Sequence, residues 1–344
     1  MGMPENKIDE QENGIHFDEQ GFAELAERYG TPLYVFSERQ LKRNVREIQE
    51  KFGRYHSRIS VHYAVKFEFA VAHLQIIKIA GGSLEAKSVG ELLKGLYAGF
   101  EGNQIVFNGA DKSEDEIEMA ILTGVKSINA DSELELKRIM ITAMRLKKSA
   151  NVSIHIMPGG LNSETVENAV RSALENPGRI SLKGYRFHGG TQVCDPKSFI
   201  DAFRKLLRLA IDTYIKTGYR PELLMIGGEL PMEKIAKELC AELSEEKVRE
   251  WAGKENAGFF KDVELILEPG RKAVDSAGVL LSGTESQIRP RKAAEAHVVL
   301  IRENGQAVMI APAKKYGDLA ADEAEHLNKP KSRFKSEQEG VCNV

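Results

Sequence analysis

The stretch SLKGYRFHGGT, Ser181 to Thr191, followed by PKSFIDAFRKLLRLAIDTYIKTG, Pro196 to Gly218, decides the fold. From Ser181 to His188 the side chains alternate, with Tyr185 and Phe187 on one face and Gly184, Arg186 and His188 on the other, as a strand requires. The second run carries its apolar residues at helical spacing and stops at a glycine, the residue that closes a helix most easily. The two together make one βα unit.

Outward from this unit the same pattern repeats. The leading helix is expected at Glu38 to Phe52. Strands are expected at Ser60 to Lys66, Ser83 to Ala86, Gln104 to Phe107, Lys126 to Asn129, Asn151 to Met157, Ser181 to His188, Glu222 to Ile226 and Val263 to Glu268. Helical patterns such as VGELLKGLYAG, EDEIEMAILTG and MEKIAKELCAEL lie between them. Eight βα units in about 240 residues fit an α/β fold of the (β/α)8 TIM barrel type, although a doubly wound sheet gives a similar string. The pattern changes at both ends. Pro32 to Phe36, Val279 to Ser282, Ala296 to Arg302 and Gln306 to Ala311 read as strands of a second, discontinuous β domain built from both chain ends, residues 1–37 and 278–344, around a barrel of residues 38–277.

The 344 residues are 42% hydrophobic and 29% charged, with a formal net charge of −3, which describes a globular chain with no basic stripe for a nucleic acid. The charged start MGMPENKIDEQENG lacks the apolar core of a secretory signal, and no run approaches the ~18 apolar residues of a membrane span. Cys194, Cys240 and Cys342 have no CxxC spacing, which points to a reducing compartment, by default the cytoplasm, and away from a structural zinc. The expected partner is a small molecule, with neither membrane nor nucleic acid.

In a barrel the C-terminal strand ends carry the chemistry. By parity Lys66 is the last inward residue of its strand, as are His188 and Glu268 of theirs, so the three should meet at one mouth. Each alone has an ordinary reading as a solvated charge or a turn residue. Two glycine segments, His188-Gly189-Gly190-Thr191 and Ile226-Gly227-Gly228, follow the sixth and seventh strands, where backbone N–H groups can approach a phosphate. Thr191 adds a hydroxyl and Arg271 a guanidinium. Pyridoxal phosphate would use the whole set, Lys66 for the aldehyde, Glu268 for the pyridine nitrogen and His188 on the ring face, and on these residues alone an unrelated barrel enzyme is the alternative. His62, His73 and His155 read as packing or surface residues, and Tyr316 as exposed.

The segments YGTPLYVFSE (Tyr29 to Glu38), YAVKFEFA (Tyr63 to Ala70), AKSVGELLKGLYAGF (Ala86 to Phe100), IVFNGADKSEDEI (Ile105 to Ile117), FHGGTQ (Phe187 to Gln192), MIGGE (Met225 to Glu229) and EPGR (Glu268 to Arg271) resemble, in order and spacing, a known family. It is that of the alanine-racemase-like, fold type III decarboxylases of diaminopimelate, ornithine and arginine, above all those acting on diaminopimelate. The resemblance implies that Lys66 binds pyridoxal 5'-phosphate as a Schiff base and that His188 stacks on the ring and shares in catalysis. Thr191, Gly227 and Gly228 would hold the phosphate, Glu268 the pyridine nitrogen, and Arg271 the phosphate or a substrate carboxylate. It also implies a homodimer and loss of the substrate's α-carboxylate as CO2.

The departures are specific. Glu229 stands where the family has a third glycine, Phe67-Glu68 replaces Ala-Asn, and MPGGLNSETVENAV lacks a Ser-Lys-Phe-Gly stretch. The late Cys-Glu-Ser-x-Asp motif and tyrosine that complete the partner's site in the family are not reached before Val344, so a site short of that group is expected. A catalytically silent homologue that acts by binding a partner is therefore the alternative, while a racemase would need a second acid/base, and a zinc hydrolase an HxH pair at a strand end, neither of which can be placed in this sequence.

Overall fold

The computed structural model describes residues 9–11, 14–17, 20–65, 70–156, 163–188, 196–228, 232–269, 274, 276–281 and 297–311. Strands β1 (Asp9–Gln11), β2 (Gly14–Phe17) and β3 (Gln20–Gly21) form a small antiparallel sheet ahead of helix α1 (Phe22–Tyr29), β4 (Leu33–Ser37) and α2 (Glu38–Gly53). The parallel strands that follow are β5 (Ile59–Ala64), β6 (Ser83–Ala86), β7 (Ile105–Phe107), β8 (Ser127–Ala130), β9 (Ala150–Ile156), β10 (Ile180–His188), β11 (Leu223–Gly227) and β12 (Glu264–Glu268). They pair in sequence order, and β12 closes on β5, giving a closed eight-stranded barrel. The chain is a (β/α)8 barrel, and the doubly wound alternative is excluded. Helices α3 (Val71–Ile79), α4 (Val89–Tyr97), α5 (Glu114–Thr123), α6 (Glu133–Leu146), α7 (Ser163–Leu174), α8 (Pro196–Thr217), α9 (Met232–Glu242) and α10 (Glu245–Ala252) connect the strands.

Local chemistry starts several of these helices just beyond the strand ends. Ser88, Ser113 and Ser132 each accept a hydrogen bond from the backbone N–H three residues on, and Ser113 with Glu116 makes a full capping box. Each cap is worth roughly 1 kcal/mol and keeps the loop after its strand short. Gly124 ends α5 in the left-handed region, at φ 65°.

A separate four-stranded sheet has the order β13 (Gly278–Leu281), β4, β14 (His297–Ile301), β15 (Ala307–Ala311), so both ends of the chain contribute to it. Strands β4 and β14 are parallel and the outer pairs antiparallel. The run VVLI, Val298 to Ile301, is apolar throughout because this sheet is covered on both faces. Phe36, Val298 and Leu300 pack with Leu41 and Ile76 on one side, and Leu33, Val35, Val299 and Ile301 with Leu25 on the other. The chain divides into two compact units, one of Met1–Lys42, Glu68–Ile76 and Val274–Val344, the other of Arg43–Phe67 and Ile77–Ala273. The second holds the barrel.

Candidate functional site

One irregularity decides which residues of β10 face the barrel interior. Leu182 pairs with Val152 but Gly184 pairs with Ser153, so Lys183 is an extra residue. Neighbours in a parallel pair point to the same face. Ser153 points inward, its buried hydroxyl 2.8 Å from that of Ser127. The bulge therefore switches the inward set of β10 to even numbers and carries Gly184, Arg186 and His188 into the interior. Only glycine fits at 184, since a Cβ there would lie 1.8 Å from the Leu223 carbonyl oxygen.

Halfway up the barrel, Val106, Leu223, Met225 and Ile266 form a buried apolar layer. Above it, at the C-terminal strand ends, the inward side chains described are polar apart from Ala64 on β5. Arg186 donates from Nε to both oxygens of Glu268 at 3.1 Å and from Nη2 to Oε2 at 2.6 Å. Its Nη1 lies 3.1 Å from Nε2 of His155, whose Nδ1 is 2.7 Å from Oδ1 of Asp131. Asn108 donates to Oε1 of Glu85 at 2.7 Å and to Oε1 of Glu268 at 3.3 Å, and receives a hydrogen bond from Asn129. Lys87 reaches Glu85 at 3.5 Å. In the loop just beyond β7, Lys112 is buried, and its ammonium is spent on the carbonyls of Gly109 and Asn129 and on Glu135 at 3.2 Å.

The charge states follow from these contacts. Burial pushes the Glu268 carboxyl up, but the Arg186 guanidinium and the Asn108 amide outweigh burial and hold it well below its ordinary 4.5. Burial and then the Arg186 charge push the His188 imidazole down to about 4, so it is neutral near pH 7. Burial also raises Asp131, yet the hydrogen bond from His155 leaves its carboxyl below the usual value.

His188 and Glu268 come together at a glycine. A Cβ on Gly227 would lie 2.6 Å from Cδ2 of His188 and 2.7 Å from Oε2 of Glu268, so any side chain there would push these two groups out of place. Gly228 adopts φ 134°, a conformation other residues rarely take. Of the residues expected at the site, Lys66, Thr191 and Arg271 lie outside the described residues, as do Glu229 and Tyr316. The inward parity expected of Glu268 and His188 holds, as it does for Arg186.

One expectation is corrected. His155, read as packing or surface, is a member of the buried network, because its strand end directs it at Arg186 and Asp131. His62 is buried with Nδ1 3.1 Å from the Leu84 carbonyl, and His73 packs edge-on against Phe36, as packing residues do. Sequence reasoning also gave no role to Arg186, Asn108, Glu85 or Asp131. The available signal was parity, since each is an inward residue at or just beyond its strand's C-terminal end.

The donor set suits a pyridoxal ring. A neutral imidazole can lie on an aromatic face without imposing charge, an ionised carboxylate suits a protonated ring nitrogen, and the glycine between them lets the two side chains approach each other. Comparison with known proteins agrees. Residues 38–275 match the family described as pyridoxal-dependent decarboxylase, pyridoxal binding domain. The chain is 32% identical over 304 residues to the diaminopimelate decarboxylase of Vibrio cholerae, covering 80% of this chain and 69% of the relative. It is 30% identical over 281 residues to that of Methanothermobacter thermautotrophicus, covering 75% and 64%. The chain thus spans about two thirds of the length of these curated relatives. In fold it is similar to the crystal structure of diaminopimelate decarboxylase from M. jannaschii, with a TM-score of 0.76 at 22% identity over 91% of this chain and 96% of that one. The Helicobacter pylori enzyme complexed with L-lysine gives 0.68 at 19%, over 89% and 100%. The matched region is the one that binds the cofactor, which makes pyridoxal phosphate the cofactor here. The chain belongs to the family of pyridoxal-dependent amino-acid decarboxylases.

Proposed function

We propose that this chain decarboxylates a diamino or basic amino acid, most suitably one of the diaminopimelate type, at the C-terminal mouth of its barrel. The observation that carries the proposal is the convergence of a neutral His188 and an ionised Glu268 on the bare α-carbon of Gly227, within the region that matches the pyridoxal-binding domain. The substrate class is supported by relatives named diaminopimelate decarboxylase and by a fold neighbour that binds L-lysine.

On this reading Lys66 binds the cofactor's aldehyde, and His188 stacks on its ring and blocks one face. Glu268 accepts the hydrogen bond of the ring nitrogen. Thr191 and the backbone N–H groups of Gly227 and Gly228 hold the phosphate, and Arg271 serves the phosphate or a substrate carboxylate. When bound, pyridoxal phosphate supplies an electron sink for the pair left on the α-carbon as CO2 departs. The cofactor-binding domain is then residues 38–277, with residues 1–37 and 278–344 as the second domain. We extend the proposal to a homodimer working in the cytoplasm.

A second reading, a silent homologue that acts by binding a partner, is favoured by one observation: both oxygens of Glu268 are already engaged by Arg186. Incubation with pyridoxal phosphate and each of diaminopimelate, lysine, ornithine and arginine separates the two. The proposal expects a visible absorption band and CO2 release from diaminopimelate, both lost in Lys66→Ala. A band without CO2 from any of the four would favour the second reading.

A further inference from the structure

The proposed function reserves Glu268 for the ring nitrogen. Resting on that assignment, we propose that Arg186 is the positioning residue for Glu268: it fixes the orientation of the carboxylate and limits how strongly it takes a proton from the ring nitrogen, while Asp131 and His155 hold the arginine in turn.

Arg186 meets Glu268 fork to fork, through Nε at 3.1 Å from each oxygen and Nη2 at 2.6 Å from Oε2. The carboxylate cannot turn without losing these bonds. The remaining amine, Nη1, faces away to Nε2 of His155 at 3.1 Å. A guanidinium only donates, so Nε2 must present its lone pair, and the ring hydrogen sits on Nδ1, where it donates to Asp131 at 2.7 Å. These two contacts hold the His155 ring in one orientation between Arg186 and Asp131. The four residues come from β8 and its loop, β9, β10 and β12, so one proton arrangement links four strand ends across the mouth.

Further charges face this pair. Glu85 of β6 lies 3.9 Å from Nη2 of Arg186 and is partly balanced by Lys87 at 3.5 Å. Lys112 contributes field from the β7 side, and among the described residues the neutral imidazoles of His188 and His62 also lie near Glu268. A carboxylate that shares both oxygens with a guanidinium is a weaker base than a lone one, so a ring nitrogen bound there competes with Arg186 for the same lone pairs.

The test uses the full chain as wild type, Arg186→Met, Glu268→Gln and the double variant. Two readouts are taken: the dissociation constant for pyridoxal phosphate from absorbance titration, and the thermal midpoint without cofactor across about pH 5 to 8. In Arg186→Met the buried carboxyl has lost its cation, and its proton affinity rises above that of the unfolded chain. The unfolded chain then ionises first as pH rises, so the midpoint falls across that range relative to wild type. The fall disappears in the double variant. Cofactor affinity weakens about tenfold in Arg186→Met, whereas adding the same change to Glu268→Gln alters it less than about twofold.

Wild-type pH behaviour in Arg186→Met, or equal weakening in both backgrounds, would overturn the proposal. If Arg186→Met does not fold, the double variant, which buries no carboxylate at 268, is compared with Glu268→Gln alone, and a tenfold difference between those two overturns it as well. If the wild type takes up no cofactor, the assignment of Glu268 to the ring fails, and the midpoints alone decide whether Arg186 governs this carboxylate.

Discussion

Strand β12 carries a carboxylate at each end, and the two are treated differently. Glu264, at the base of the barrel, pairs with Lys126 at 2.9 Å and accepts a hydrogen bond from Ser60 at 2.7 Å, with the side chains of Lys126 and Glu264 24% and 17% exposed. Glu268, four residues on, pairs with Arg186 with the side chains only 5% and 2% exposed. Both are inward residues of one strand, separated by the apolar layer around Ile266. The base pair keeps part of its hydration, so forming it costs little and gains little. The mouth pair gives up nearly all of its water, a desolvation cost that an apolar pair of the same volume would avoid. A barrel has no structural need for that cost at its mouth, so the difference supports the proposal that the chemistry lies at the Glu268 end.

The comparison can be broken by experiment. The largest effect expected is from Arg186→Met, which leaves Glu268 buried without its cation and should cost about 3–5 kcal/mol of unfolding free energy in urea at pH 7. Gly227→Ala comes next, at about 1–3 kcal/mol from overpacking against His188 and Glu268, with loss of cofactor uptake in the same titration. Lys126→Met at the base should cost about 1 kcal/mol or less and leave cofactor affinity as it was. If Lys126→Met costs as much as Arg186→Met, the two ends of β12 are equivalent and the contrast fails.

The smallest effect is on the acid limb of stability. Both carboxyls are held below their ordinary 4.5 in the folded chain, Glu268 chiefly against burial by Arg186 and Glu264 against burial by Lys126 and Ser60. Each therefore adds stability that is complete above that value and is lost as pH falls through the lower folded one. Urea midpoints measured from pH 6 downward should flatten strongly in Glu268→Gln and only slightly in Glu264→Gln.

Much of this was legible in the sequence because a barrel strand repeats every two residues and ends where its chemistry begins. Parity alone placed Glu268 and His188 on the inner face, and the strand bounds agree with the structure to within a residue or two. Other features could not be read. Nothing in KGY announces a bulge, whose existence depends on the Gly184 α-carbon lying against the Leu223 carbonyl of a strand about forty residues on. Arg186 faced inward in the sequence too, but its partners, His155, Asp131 and Glu268, are set by strand pairing. His155 was misread for the same reason, since a lone histidine in SIHIM carries no local sign of an arginine on the next strand. The short sheet of β1, β2 and β3 went unread because a charged segment with strands of four residues or fewer shows too few alternations to count.

The central claim is that the mouth lined by His188 and Glu268 is where Lys66 binds pyridoxal phosphate. Borohydride reduction of the chain loaded with pyridoxal phosphate, followed by peptide mass mapping, tests it most directly. The account predicts one stoichiometric label, on Lys66, that is lost when Gly227 is replaced by alanine. A label on any other lysine, or labelling of Lys66 that is indifferent to Gly227, would contradict it.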